Sequence, residues 1–412
     1  MKKRNKVFQQ ILEQDKAAFV IDEAKFADNI QKMQKAFLNH YPNITIGYSY
    51  KTNYIPKVCH IAHENECWAE VVSEMEVEMA QMNLNNKANI IYNGPVKSID
   101  SLQTVIQADG IINIDNDSDV EKINTILNST SKKAKVALRL SFDFQDSTSR
   151  FGLEMAKVLE LEKKLLADPR YIVLGFHLHL PFRSLESFQF RVECMLKVLS
   201  ASANKNLDYI NLGGGFFGDI PQEVAEVLGI SKLPSFDDYA KVLGGELKKY
   251  FLNLGVISSQ MPRLFIEPGS SVIADGMYYI SNIHAKKTIQ GRNYLITYAG
   301  RHLLSPTNKT IDLPLELGER VNTKVENNEK LDAFVVGYTC IEGDVLGKIE
   351  TSDEIEIDNA YIIVKNVGSY SIVMGSDFIL PQPAIYSFDA DFNVSKIRST
   401  KKAIEVYNSF IE

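Results

Sequence analysis

Eight short apolar runs, separated by stretches of helical periodicity, fill the middle of this chain and restrict it to very few folds. The runs are residues 45–51, 68–73, 89–93, 110–114, 135–140, 172–179, 209–212 and 263–267. Between them lie amphipathic patterns such as Ser73 to Met82 and Ser184 to Leu199. Strand-length runs alternating with helix-length patterns are the βα signature. Eight repeats are what a (β/α)8 barrel needs. A doubly wound open sheet is the alternative, but the count favours the barrel, and no GxGxxG fingerprint follows the first run.

The flanking rhythm is different. Val7, Ile11 and Leu12 recur at helical spacing within residues 1–16, and Ala17 to Asp22 reads as a strand. Asp22 is placed to cap a helix from Glu23 to about Leu38. From residue 272 onward, alternation and turn residues dominate, at Met277 to His284, Asn293 to Thr297, Asp332 to Gly337 and Tyr361 to Val364. We therefore expect a barrel domain over residues 23–271 and a β-rich domain, a barrel or sandwich, from residues 1–22 and 272–412. A helical stretch is expected near Asp344 to Ile349 or in the last residues. The length of 412 residues also favours two cores over one.

Composition narrows the class. With 45% hydrophobic and 24% charged residues the chain is an ordinary globular one. A net charge of −7 gives no footprint for nucleic acid. Lys2-Lys3-Arg4 leads into polar residues rather than an apolar run, so it is not a signal peptide, and no segment has the apolar length to span a bilayer. The four cysteines are scattered without a CxxC pair, which argues against zinc and a disulfide framework and suits the cytoplasm.

In a barrel of this kind function sits where strands end. The ends carry Lys51, Glu70, Ser73, Asn93, His179, Gly213-Gly214-Gly215 and Glu267-Pro268-Gly269. A lysine walled by apolar neighbours is partly desolvated, which favours the nucleophilic amine that Schiff-base chemistry requires; a solvated charge is the plain alternative. Three glycines after a strand let backbone N–H groups approach an anion such as phosphate, or make a tight turn. A buried carboxylate at Glu267 needs a cation: a protonated pyridine nitrogen or a nearby arginine. His177 and His179, two apart, would face one side; a metal lacks further ligands, and stacking on a flat ring suits the other groups better. His60 and His63 read as surface residues of a helix. Cys340 and Asp344 place a thiol and a carboxylate on one turn, as a proton donor and a substrate anchor, or a buried structural cysteine. Tyr370 beside Gly368 offers a hydroxyl to a phosphate oxygen, or fills a core.

In this order the motifs resemble those of the pyridoxal-phosphate decarboxylases with an alanine-racemase-type fold, the family of diaminopimelate, ornithine and arginine decarboxylases. Tyr48 to Asn53 is similar to the family's lysine motif, Glu70 to Glu76 to its second-strand motif, Tyr92 to Ser98 to its third, and Ser149 to Leu153 to the segment before its sixth strand. The resemblance spans about residues 17–390. It implies pyridoxal phosphate held as a Schiff base on Lys51, with Ser73, His179, Gly213, Gly214, Gly215, Glu267, Gly269 and Tyr370 as the cofactor-binding set. It also implies a homodimer in which Cys340 and Asp344 reach the neighbouring subunit's site, Cys340 as proton donor. A carboxylate at Glu267, where the related racemases use arginine, keeps the ring nitrogen protonated and favours decarboxylation. A racemase or epimerase, or a non-catalytic cofactor-binding protein, are the other readings.

The chain also departs from the family. Glu74-Met75 replaces paired glycines, Ser270 replaces an arginine after Glu267-Pro268-Gly269, and Ile341 stands where diaminopimelate enzymes carry a glutamate, with Glu342 one place later. Tyr298-Ala299-Gly300 lacks the usual acidic residue, residues 303–314 lack the arginine and tyrosine that hold a distal carboxylate, and Leu180-Pro181-Phe182-Arg183 replaces Gly-Ser after the histidine. These changes predict an amino-acid substrate other than diaminopimelate, with Asp344, Glu342, Arg183, Arg301 and His302 as anchors.

Overall fold

A computed structural model describes residues 2–305, 311–320, 330–352 and 355–411. The chain forms two compact units, Ala27–Gly218 with Pro234–Ser271, and Met1–Phe26 with Asp219–Leu233 and Val272–Glu412. It opens with helix α1 (Lys2–Leu12), strand β1 (Ala17–Asp22) and helix α2 (Glu23–His40).

The first unit is a closed eight-stranded parallel barrel. Its strands are β2 (Ile44–Ser49), β3 (Trp68–Val71), β4 (Ile90–Tyr92), β5 (Ile111–Ile114), β6 (Ala134–Arg139), β7 (Tyr171–His177), β8 (Tyr209–Asn211) and β9 (Arg263–Ile266). Closure of β9 onto β2 removes the open-sheet alternative. Helices α3 (Pro56–Glu64), α4 (Glu74–Asn83), α5 (Ile99–Gln107), α6 (Asp117–Leu127), α7 (Met155–Leu166) and α8 (Leu185–Ala201) connect the strands. Four of them start where the sequence supplies a capping side chain: Ser73, Ser98, Asn116 and Ser184 each accept a backbone N–H three residues on.

Strand periodicity sorts the barrel interior into layers. Ile91, Ile111, Ala137, Tyr209 and Phe265 make one apolar cluster, with Trp68 and Leu174 packed against it. Two residues further along, each of these strands again points inward, and there it carries a polar group. Trp68 is followed by Glu70, Ile91 by Asn93, Ile111 by Asn113, Ala137 by Arg139, Tyr209 by Asn211 and Phe265 by Glu267. On β7 the register with β6 shifts between Val136 and Ala137. All these polar side chains are buried, so each needs a partner inside the barrel.

The second unit is a mixed sheet. β1 lies between antiparallel β10 (Met277–Ile289) and parallel β16 (Ala384–Phe388). The others are β11 (Arg292–Thr297), β12 (Leu315–Glu319), β13 (Lys330–Val336), β14 (Val345–Ser352), β15 (Ala360–Val364) and β17 (Val394–Arg398). Val7, Phe8, Ile11 and Leu12 of α1 pack on Ala18, Val20, Tyr278 and Ile280, which gives the sheet its core. The expected helix near Asp344 to Ile349 is instead β14, an antiparallel partner of β13. Exposed Lys348 and Glu350 alternate with buried Ile349 and Thr351, so the period is 2 and the pairing decides the segment. A short helix does occur at the end of the chain, Ala403–Asn408. Among the described residues, no helix is long and apolar enough to cross a membrane.

Candidate active site

Lys51 lies in a 3-10 turn, Tyr50–Thr52, directly after β2. That turn is locked to the turn after β9. Ser49 N–H donates to the Pro268 carbonyl at 3.1 Å, and Ser49 Oγ donates to the Glu267 carbonyl at 3.2 Å. Gly269 packs so closely that a Cβ there would sit 2.1 Å from Thr52 Oγ1. The lysine Nζ is 2.8 Å from Glu70 Oε2, with Glu70 wholly buried. The apolar wall expected from sequence is thus corrected: the amine meets a carboxylate. His63, expected at the surface, is also corrected. Its Nδ1 faces the Cys67 carbonyl at 2.8 Å and must carry the proton, so Nε2 accepts from Tyr50 OH at 2.7 Å. It is therefore a neutral prop behind the lysine turn, and burial holds it below the usual imidazole value.

Glu267 is the hub of the buried layer. Its Oε1 accepts Nδ2–H from Asn93 at 2.8 Å and from Asn211 at 2.7 Å, and its Oε2 is 3.4 Å from His177 Nε2. Asn93 spends its other hydrogen on Glu70 Oε1 at 2.9 Å. One amide thus ties the carboxylate that holds Lys51 to the carboxylate at the end of β9. Asn113 Nδ2 donates to Asn93 Oδ1 at 2.6 Å and to Tyr209 OH at 3.0 Å, which fixes which way the Asn93 amide faces. Burial alone pushes the Glu267 carboxyl up. The pull of the neighbouring His177, then of the Lys51 cation, outweighs it and holds the carboxyl below its ordinary value. Burial drives His177 the other way, toward the neutral ring, against the pull of Glu267. Two amide donors on one oxygen keep Glu267 anionic whichever state His177 takes.

The glycine turn follows β8. Gly213 has φ +68, and a Cβ there would lie 2.6 Å from the His179 side chain. A Cβ on Gly214 would lie 2.2 Å from the Glu267 carbonyl. Only glycine permits this approach. Gly213 N–H donates to Asn211 Oδ1 at 2.8 Å. His179 lies just beyond β7, and burial pushes it well below the ordinary imidazole value, so its ring is neutral. Its Nδ1 is buried with no hydrogen-bond partner among the described residues. Ser73 caps α4, accepting Glu76 N–H at 3.3 Å. Arg183 is exposed, its guanidinium 5.4 Å from the Phe217 ring.

The other predicted residues belong to the second unit. Cys340 is exposed and free, as is the neighbouring Glu342 side chain to solvent. Asp344 is buried, and it staples their loop: Oδ1 accepts Arg301 N–H at 2.8 Å, and Oδ2 accepts the Thr339 hydroxyl at 2.6 Å. The Arg301 guanidinium is spent on the carbonyls of Val345, Leu346 and Ile311. His302 packs edge-on to Tyr338 and Phe378. Tyr370 has φ +61, a left-handed conformation that costs free energy in a tyrosine. Of the segment without the distal-carboxylate residues, 306–310 lie outside the described residues.

Sequence reasoning named Lys51, Glu70, Asn93, His179, the glycines and Glu267, and missed Asn113, Asn211 and Tyr209. Reading each apolar run two residues past its inward apolar side chain finds the first two.

These features have a counterpart among known proteins. The profile of the pyridoxal-dependent decarboxylase pyridoxal-binding domain matches residues 27–274. Diaminopimelate decarboxylase of Methanocaldococcus jannaschii is 24% identical over 352 residues, 81% of this chain and 76% of that one. The crystal structure of diaminopimelate decarboxylase from M. jannaschii superposes with a TM-score of 0.83 at 20% identity, covering 98% of this chain and 94% of that one. The Paramecium bursaria Chlorella virus arginine decarboxylase does so with 0.74 at 18% identity, covering 93% and 100%. With its barrel, strand-end lysine and buried anionic glutamate, this chain belongs to the pyridoxal-dependent decarboxylase family. It is an amino-acid decarboxylase that uses pyridoxal phosphate. The residues present fit that cofactor: an amine at the mouth, an anion ready for a ring nitrogen, an imidazole with a buried unpartnered nitrogen, and a turn that admits no side chain.

Proposed function

We propose that this protein removes the α-carboxylate of an amino acid other than diaminopimelate, with Lys51 as the cofactor lysine and Cys340 of the partner subunit as proton donor. The observation that carries the reading is the anionic Glu267, held by Asn93 and Asn211. Bound pyridoxal phosphate supplies a protonated ring that accepts the electrons released with carbon dioxide. A carboxylate facing that ring's nitrogen keeps it protonated; a cation there would not.

The chain's residues divide the remaining work. Glu70 orients the Lys51 amine through their 2.8 Å contact. The neutral His179 ring gives a flat, uncharged face for stacking. The backbone amides of Gly214 and Gly215, in the turn that Gly213 opens, the Gly269 turn, Ser73 and the Tyr370 hydroxyl serve the phosphate end. An exposed thiol at Cys340, on a loop that Asp344 staples, is suited to reach a second copy and deliver a proton to the α-carbon, which requires a homodimer. Arg183, Glu342 and His302 remain candidates for the substrate's far end. Arg301 and Asp344 act through the loop they hold.

The substrate claim rests on the departures at Ser270, Tyr298, Ile341 and residues 180–183. Carbon dioxide release from a panel of amino acids that includes diaminopimelate tests it. Release from another amino acid is expected, abolished by Lys51→Ala and lowered about 10²-fold or more by Cys340→Ala. Turnover of diaminopimelate as the best substrate, or undiminished release in Lys51→Ala, would sink the reading.

A further inference from the structure

Arg191, on α8, is a wholly buried arginine without a carboxylate at ion-pair distance among the described residues. Its guanidinium is given over to backbone carbonyls. Nη1 donates to Leu212 at 3.0 Å and Gly214 at 2.7 Å; Nη2 donates to Leu180 at 2.6 Å and Phe182 at 2.7 Å. The first two carbonyls belong to the glycine turn after β8, and the other two to the loop that follows His179. One flat face of the cation lies 4.0 Å from the Phe188 ring. A buried cation costs several kcal/mol; the Glu267 carboxylate acts on this one only beyond ion-pair distance, so its retention calls for a further compensating charge.

The peptide geometry shows where that charge would lie. A trans peptide points its C=O and N–H to opposite sides. With the Gly214 carbonyl turned onto Arg191, the Gly215 N–H points away from it. The Gly213 carbonyl accepts Glu267 N–H at 2.9 Å, which turns the Gly214 N–H away from β9. Among the described residues, the N–H groups of Gly214, Gly215 and Phe216 meet no acceptor. A Cβ on Gly215 would lie 3.4 Å from Arg191 Nη2, so the turn sits directly on the guanidinium.

We propose that Arg191 is a positioning residue for anion binding: it grips the carbonyl side of the Gly213–Gly215 turn, presents the opposite N–H groups, and supplies the positive charge beneath a bound phosphate. This rests on the cofactor reading above but adds a residue to it. Both guanidinium Nη atoms are taken up by carbonyls, so the arginine acts through the turn. It also fastens the Leu180–Phe182 loop, where the sequence lacks the Gly-Ser that follows the histidine in related chains. Burial draws the guanidinium down to about 9, which still leaves it charged at neutral pH.

Comparing pyridoxal phosphate with pyridoxal, which lacks the phosphate, isolates this role. Affinities are read from cofactor absorbance in the wild type, Arg191→Gln and Arg191→Lys. Arg191→Gln is expected to weaken pyridoxal phosphate about tenfold or more, while pyridoxal changes less than about threefold. Arg191→Lys keeps the charge but reaches fewer carbonyls, and should fall between. If the glutamine variant does not fold, the lysine variant decides, with a fall in the affinity ratio of more than about threefold expected. An equal loss for both ligands would show a merely structural arginine and overturn the inference, as would an unchanged ratio. Wild-type protein that binds neither ligand would instead overturn the cofactor reading, and this inference with it.

Discussion

Removing the side-chain amide of Asn93 is the sharpest perturbation of the site short of the lysine itself. Asn93→Ala deletes two hydrogen bonds to carboxylates, 2.8 Å to Glu267 and 2.9 Å to Glu70, and leaves Asn113 without its 2.6 Å acceptor. Hydrogen bonds to charged groups contribute roughly 1.5–3 kcal/mol each, which bounds the loss at about 3–6 kcal/mol. A water entering the polar space left behind recovers part of this, so about 2–4 kcal/mol of unfolding free energy should be lost. Urea denaturation followed by circular dichroism measures it. With one of its two amide donors gone, Glu267 is easier to protonate, so its carboxyl rises toward the ordinary value. The acidic limb of kcat for carbon dioxide release should then move to higher pH, with the deficit larger at pH 5 than at pH 8. Stability within about 0.5 kcal/mol of wild type, the range of an ordinary surface change, together with an unmoved acidic limb, would refute the argument that this amide holds the two carboxylates.

Other outcomes follow from the same geometry. Burial raises the Glu76 carboxyl to about 7, so the folded state holds a proton that the unfolded chain releases near pH 4.5. That contribution is full below the unfolded value and is lost as pH rises to about 7; Glu76→Gln should flatten the fall in stability over this window, read from denaturation midpoints against pH. Lys97 is fully buried, 2.7 Å from Asp119 and 2.7 Å from the Gly94 carbonyl. Lys97→Met should cost about 3–5 kcal/mol, because it leaves the aspartate buried without its cation; a loss near zero in denaturant titration would contradict the pairing. Gly214→Ala forces a Cβ against the Glu267 carbonyl and should abolish cofactor absorbance even where circular dichroism shows a folded chain. Retained absorbance would mean that the turn does not need its close approach.

The barrel was legible because each strand announces itself as an apolar run and the count of eight matches a closed barrel better than an open sheet. The β-rich unit was harder to read. Val345–Ser352 begins Val-Leu-Gly, without alternation, and becomes a strand through pairing with β13, a partner that local sequence does not show. Lys51, Glu267 and the glycines could be named because their chemistry is unusual at a strand end. Asn113 and Asn211 were overlooked because a lone asparagine signals nothing until its inward face is known. Arg191 sits mid-helix with no periodic signal beyond its neighbours, and its carbonyl partners come from two loops that only the fold brings together. Likewise, the pairing of Lys51 with Glu70 depends on adjacent strands in register, Ser49 opposite Glu70, a fact of the sheet rather than of either segment.

We propose Lys51 as the lysine that carries pyridoxal phosphate in this amino-acid decarboxylase. The most direct measurement is the visible absorbance of the purified protein with added pyridoxal phosphate, before and after borohydride, followed by mass mapping of the trapped residue. A band that collapses on reduction, leaving the cofactor fixed on Lys51, is expected. No band, or attachment to a different lysine, would contradict it.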